Sequence, residues 1–275
     1  MITQAEKGRR FRDLHHRDSA FVIPNPWDIG SARILASMGF EALATTSVGY
    51  ANSIGRQDHG VTRDEMIAHA TSLCAATELP VSADLENGFG DDPETVAETI
   101  RLAAGAGLAG CSIEDSTNRN DDPIYALEHS VDRIRAAVEE VRKLPFPFML
   151  TARAENYLHG RKDLADTIKR LQAFQEAGAD VLYAPGMTDV TEIATMIRSV
   201  DRPVNVLAGM QGVHFDVDGL SRIGVKRISV GGALTRIAFA AVIRAAREMK
   251  ENGTFTFVDE PITSREIAAL ISSAS

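Results

Sequence analysis

The sequence predicts an α/β protein of the (β/α)8 TIM-barrel class, and three observations carry that expectation. Eight short apolar runs rich in β-branched residues alternate with amphipathic stretches, the pattern of a parallel sheet with helical crossovers. Eight such units within 275 residues suit a closed barrel. The turn after the first run, PNPWDIGSA, lacks the G-x-G-x-x-G spacing that an open dinucleotide-binding sheet would show there.

The expected strands are FVIP (21–24), ALATTS (42–47), PVSADLE (80–86), GCSIED (110–115), FMLTARAE (148–155), DVLYAP (180–185), PVNVLA (203–208) and KRISVG (226–231). Helical patterns lie between and after them, at 28–38, 62–78, 93–106, 128–143, 161–177, 188–199, 216–223 and 233–252. Gly39, Gly107 and Gly178 stand where helices should end, and Thr62, Asp92-Pro93 and Thr188 where they should begin. Thr3 and Glu6 have the spacing of a capping box for an extra N-terminal helix. The segment 254–275 forms a C-terminal tail in which TSREIAALISS reads as a further capped helix. Residues 1–275 are expected to form a single barrel domain, with no linker or repeat.

Composition narrows the function classes. A formal charge of −9 argues against nucleic acid or an anionic membrane as partner. No apolar run approaches the roughly 20 residues that span a bilayer. The opening MITQAEKGRRFRDLHHR is polar and basic, so no signal peptide is expected. Two cysteines, Cys74 and Cys111, suit a reducing cytoplasm and read as packing thiols. The expectation is a cytoplasmic enzyme.

In such a barrel the chemistry sits at the C-terminal strand ends. Period-two alternation puts Ser82, Asp84 and Glu86 on one face of the third strand, Ser112 and Glu114 on one face of the fourth, and Thr151, Arg153 and Glu155 on one face of the fifth. With apolar neighbours turned to the helices, four carboxylates surround one arginine. They would repel unless a cation or shared protons offset them, and oxygen ligands favour a hard ion such as Mg²⁺. The alternative is a rim of structural ion pairs. The ends of strands six and seven, YAPGM and LAGMQG, offer few ionisable groups. His15 and His16 read as surface residues, and His69 and His129 as solvated or half-buried helix residues. His59, beside Asp58, is a candidate for the site, and Gly231-Gly232 reads as a tight turn. Lys226 begins the eighth strand at the wrong end for a Schiff base.

The segments NPWDIGSARIL, ALATTSVGYANSIGRQD, SADLENGFGD, CSIEDS and TARAE resemble the isocitrate lyase/phosphoenolpyruvate mutase superfamily, from about residue 8 to residue 250. That resemblance implies a barrel whose eighth helix is exchanged between subunits of a homodimer or homotetramer, a small 2-oxo acid as ligand, and Mg²⁺ (or Mn²⁺). It implies Asp84 as direct metal ligand, with Glu86 and Glu114 holding the ion mostly through water. Ser47, Val48 and Gly49 correspond to the loop that binds the substrate carboxylate, Arg153 to the arginine that clamps the substrate, Asp58 to an acidic loop residue, and Trp27 to a site-wall contact. Asp28 reads equally as a helix N-cap. The loop STNRNDDPIY has no cysteine where the carbon–carbon lyases of the superfamily carry K-K-C-G-H. The expected activity is therefore cleavage or decarboxylation of a small 2-oxo carboxylate through an enolate, of the oxaloacetate decarboxylase type. The alternatives are C–P chemistry on phosphonopyruvate, with Asp58, Thr117 and Asn118 as loop groups, and a non-catalytic barrel that binds a 2-oxo acid.

Overall fold

The computed structural model describes residues 2–259 and 262–272. Eight parallel strands form one sheet: β1 (Phe21–Ile23), β2 (Leu43–Ala44), β3 (Val81–Asp84), β4 (Gly110–Glu114), β5 (Met149–Arg153), β6 (Val181–Tyr183), β7 (Val204–Leu207) and β8 (Arg227–Ser229). They pair in the order β1-β8-β7-β6-β5-β4-β3-β2. The Ala44 N–H donates to the Pro24 carbonyl at 3.1 Å across the remaining gap, so the sheet is a nearly closed barrel.

Eleven α-helices are described: α1 (Gln4–His15), α2 (Ile29–Ser37), α3 (Ser47–Ser53), α4 (Arg63–Ala76), α5 (Pro93–Gly105), α6 (Leu127–Arg142), α7 (Leu164–Ala177), α8 (Val190–Arg198), α9 (Val217–Arg222), α10 (Ala233–Arg247) and α11 (Ser264–Ser272). A π turn (Glu248–Asn252) and a 3₁₀ turn (Thr256–Asp259) link the last two. The expected tail is thus helical at α11. Its residues 260–261 and 273–275 lie outside the described residues. Among the described residues no helix is long and apolar enough to cross a membrane.

Side-chain chemistry at the helix ends explains where they start. Thr62 and Glu65 form a reciprocal capping box on α4, and Asp28 and Ser31 another on α2. The start of α8 differs from expectation: Asp189 rather than Thr188 caps it, because its carboxylate accepts from the N–H groups of Thr191 and Glu192. At α1 only half the expected box forms. Thr3 Oγ1 accepts from the Glu6 N–H, but the Glu6 carboxylate turns to Arg10 at 2.8 Å.

The outward faces of the central strands, Val81 and Ala83, Cys111 and Ile113, Leu150 and Ala152, merge with the helices into the main apolar core. A second cluster plugs the N-terminal end of the barrel, where Phe11 and Leu14 of α1 pack on Phe21, Ile23 and Met149. Gly8 lets α1 approach this closely, since a Cβ there would sit 2.1 Å from the Pro147 carbonyl oxygen. His15 belongs to this plug and is not a surface residue. Its ring lies edge-on to Phe11 at 4.7 Å and Phe21 at 5.0 Å, and burial lowers its pKa to about 3. With the lower end sealed by α1, the polar strand ends open at the other.

Candidate active site

A cavity of about 220 Å³ opens at the C-terminal ends of the strands. Ser47, Val48, Asp58, Asp84 and Arg153 line it, with Ser82 and Ser112 deeper on the inner strand faces.

The segment after β2 does not continue as strand. Thr46 caps α3 by accepting from the Gly49 N–H at 3.3 Å, and this sets Ser47 in the first turn of the helix. Thr45 Oγ1 accepts from the Asp84 N–H at 2.8 Å, while Ser47 Oγ donates to Asp84 Oδ2 at 3.1 Å. Gly49 is buried and its N–H serves the cap. A Cβ there would fall 2.5 Å from Thr46 and 2.6 Å from Thr235 of α10, so its place in the fold is close packing. On the same helix Tyr50 stacks on His69 of α4, ring centroids 3.8 Å apart. His69 is therefore buried, with a pKa lowered by burial to about 4.

Arg153 is the hub of the mouth. Its guanidinium pairs with Glu114 at 3.1 Å, Asp84 at 3.5 Å and Glu155, and lies over the Tyr183 ring at 5.3 Å. Glu114 is buried across from it in the β4–β5 register. Burial holds the Glu114 carboxyl well above the usual carboxylate range; Arg153 opposes this, while Glu155, Asp84 and Glu86 add to it.

Glu86 departs from the alternation that predicted it. The strand ends at Asp84, and Glu86 adopts a left-handed backbone with φ 49°. Its carboxylate meets His59 Nδ1 at 3.1 Å in an adjoining cleft, close to Asp58. His59, Phe89 and Asn118, also non-glycine residues at positive φ, line this cleft with Glu86. Burial raises the Glu86 pKa and His59 partly offsets it; the same hydrogen bond to Glu86 raises the pKa of His59.

Trp27 is half-buried at the start of α2, where its N–H donates to Ser31 Oγ, and it does not line the cavity. Asn25 Oδ1 accepts from the N–H groups of Val230 and Gly231, both at 2.9 Å, so the Gly231-Gly232 segment is tied down as a turn. Lys226 Nζ donates to the Arg17 and Asp18 carbonyls at the opposite end of the barrel. The thiols face away from the site, with Cys111 buried and Cys74 pushed up to about 12 by burial.

The sequence reading missed residues on β6 to β8. Tyr183, Asn205, Arg227 and Ser229 line the cavity, and Arg236 joins them from α10. The available signal was the period-two polar pattern inside otherwise apolar strands, Asn205 in VNVL and Arg227 and Ser229 in RIS.

Whether these residues suit a divalent cation is decided by their charges. Asp58, Asp84, Glu86, Glu114 and Glu155 face Arg153 and His59. Ligand atoms of Asp58, His59 and Glu86 lie within 4.8 Å of one another, and Glu86 Oε1 is buried with no hydrogen-bond partner. Carboxylate oxygens in excess, one of them orphaned, are the donor set of a hard cation. The residues fit such an ion.

A parallel barrel with carboxylates around an arginine at its open end is the arrangement of a barrel enzyme's active site. Residues 11–250 match the phosphoenolpyruvate phosphomutase family, and the chain belongs to that family, within the isocitrate lyase/phosphoenolpyruvate mutase superfamily. A crystal structure of a provisionally assigned lyase/mutase from Burkholderia cenocepacia J2315 is 61% identical, with a TM-score of 0.94 over 97% of this chain and 95% of that one. Among curated proteins, Rv1998c of Mycobacterium tuberculosis (strain ATCC 25618 / H37Rv), itself uncharacterized, is 34% identical over 88% of this chain and 89% of its own length. An oxaloacetate decarboxylase of Pseudomonas entomophila (strain L48) is 28% identical over 86% of this chain and 80% of its own.

Proposed function

We propose that the protein is a divalent-metal-dependent lyase that breaks the bond β to the carbonyl of a small 2-oxo acid, with decarboxylation of the oxaloacetate type as the simplest case. The observation that carries this reading is the excess of carboxylates, with the orphaned Glu86 Oε1, beside the cavity at the strand ends. Asp84, Glu86 and Glu114 would hold the ion, Mg²⁺ or Mn²⁺, with Asp58 and His59 near Glu86. When bound, it supplies Lewis-acid polarisation of the 2-oxo group.

The chain's own groups supply the rest. Ser47, through its hydroxyl and the backbone of the Ser47-Val48 turn, receives the carboxylate. Arg153 places positive charge where negative charge develops on the oxo oxygen as the enolate forms. Asp84 and Glu155 hold the guanidinium in position. Decarboxylation requires only this electron sink, and the enolate can take its proton from solvent, which suits a loop without a thiol. An assay of 2-oxo acids with Mg²⁺ and with EDTA tests the reading: oxaloacetate turnover that stops in EDTA supports it, and turnover that survives EDTA removes the metal from the account.

A second reading, C–P chemistry on phosphonopyruvate, is favoured by Asn118, which stands at φ 59° in the cleft beside His59 and Glu86. Phosphate release from phosphonopyruvate without oxaloacetate turnover would establish it.

We also propose a homo-oligomer assembled through α10. Ile237 and Val242 of that helix are each 65% exposed, Phe239 and Ile243 are exposed as well, and the four spread over most of its circumference, more than one barrel face requires. Light scattering should give a dimer or tetramer; a particle of one chain at micromolar concentration contradicts it.

A further inference from the structure

We infer that Arg227, at the floor of the cavity, is the residue that binds the ligand's second anionic group, the one remote from the 2-oxo carboxylate. The inference rests on the 2-oxo acid reading above for the identity of the ligand, but the anion site itself stands on separate observations.

Arg227 is 5% exposed, on the inner face of β8, and lines the cavity. Its Nε donates to Asn205 Oδ1 at 3.0 Å, the residue's own register partner on β7, while the buried Nη1 has no partner. Asn205 in turn donates to Ser229 Oγ at 2.9 Å, and Ser229 is hydrogen-bonded to Tyr183. None of these neighbours is an anion. Burial pushes the Tyr183 phenol up to about 12, and it holds the nearby His15 neutral. Burial lowers Arg227 only to about 10, so it remains charged at neutral pH.

A buried guanidinium without a counter-charge is costly unless something in the assembled protein supplies one. No carboxylate of the chain pairs with it among the described residues. What can reach it is whatever enters the cavity. A carboxylate seated there would take charge-assisted hydrogen bonds from the free edge of the guanidinium while Asn205 holds the other edge still. The 2-oxo acid end would then lie toward Ser47 and Arg153. If the group on Arg227 is the one lost as CO₂, the ion pair is stronger in bound substrate than in the transition state. Arg227 therefore acts mainly on KM.

Equilibrium binding in EDTA tests this without turnover, with oxaloacetate as dianionic and pyruvate as monoanionic probe, on wild type, Arg227→Gln and Asn205→Asp. The aspartate gives Arg227 an internal counter-ion and serves if the glutamine variant does not fold. Crystals soaked in sodium bromide report the anion site directly. Wild type should bind oxaloacetate about tenfold or more tighter than pyruvate, and both variants should lose that preference while keeping pyruvate affinity. Bromide should sit on Arg227 in wild type alone. A preference unchanged in the variants overturns the subsite. Wild type that binds neither acid in EDTA nor pyruvate with Mg²⁺ restored, but places bromide on Arg227, refutes the 2-oxo acid reading and leaves the anion site standing. Absence of both overturns both.

Discussion

Arg153 and Arg227 are two buried guanidiniums of one cavity, on β5 and β8, and they differ in what surrounds them. Arg153 has three carboxylates, and their attraction raises its pKa far above the ordinary value despite burial. Arg227 has one amide oxygen, and burial lowers it. The same side chain is thus a hub on one side of the mouth and an unsatisfied donor on the other. The difference teaches where ligand atoms belong. The Arg153 side has negative charge to spare and suits a cation; the Arg227 side has positive charge to spare and suits an anion.

Replacement of Arg153 should have the largest effect on that picture. Arg153→Met leaves Glu114 and Glu155 buried without their counter-charge, and breaking a buried pair this way costs about 3–5 kcal/mol. Thermal or urea denaturation should show that loss. Glu114→Gln comes next. Glu114 is buried against Arg153 rather than open to the cavity, so it serves as support, and its loss should cost about 10–100-fold in metal-dependent activity or affinity. Arg227→Met should have the smallest effect on stability. It removes an uncompensated charge and leaves Asn205 Oδ1 without a donor, so the change should stay within about 1 kcal/mol or be stabilising. A loss as large as that of Arg153→Met would erase the contrast between the two arginines.

The sequence disclosed one of these regions and not the other, for a physical reason. The Arg153 side announces itself through alternation: Asp84, Glu114, Arg153 and Glu155 follow one another on adjacent strands at predictable faces. The Arg227 side depends on which strands meet and at what height. Tyr183, Asn205 and Arg227 stand in line only because β6 pairs with β7 and β7 with β8 in a staggered register. No local pattern encodes that stagger, and a polar residue at the start of a short strand reads as its solvent-exposed edge. The strand–helix order was legible except at α3, which the sequence did not announce, because hydrophobic periodicity is local. The misread places are where the backbone stops obeying a period. Thr45 to Ser47 leave the strand for α3 under the Thr46 cap, and Glu86 turns left-handed toward His59. His15 read as surface because its partners, Phe11 apart, come from the closed end of the barrel.

Asp84 tests the central claim, that the Arg153 side holds a divalent ion for chemistry on a small acid. It is short, lines the cavity, and holds its carboxylate between Ser47 and Arg153. Calorimetric titration of Mg²⁺ or Mn²⁺ into wild type and Asp84→Ala is the direct measurement. Saturable binding to wild type and its loss in Asp84→Ala are expected, with a folded protein in both cases. Asp84→Ala that binds the ion as tightly as wild type would contradict the account and place the metal elsewhere.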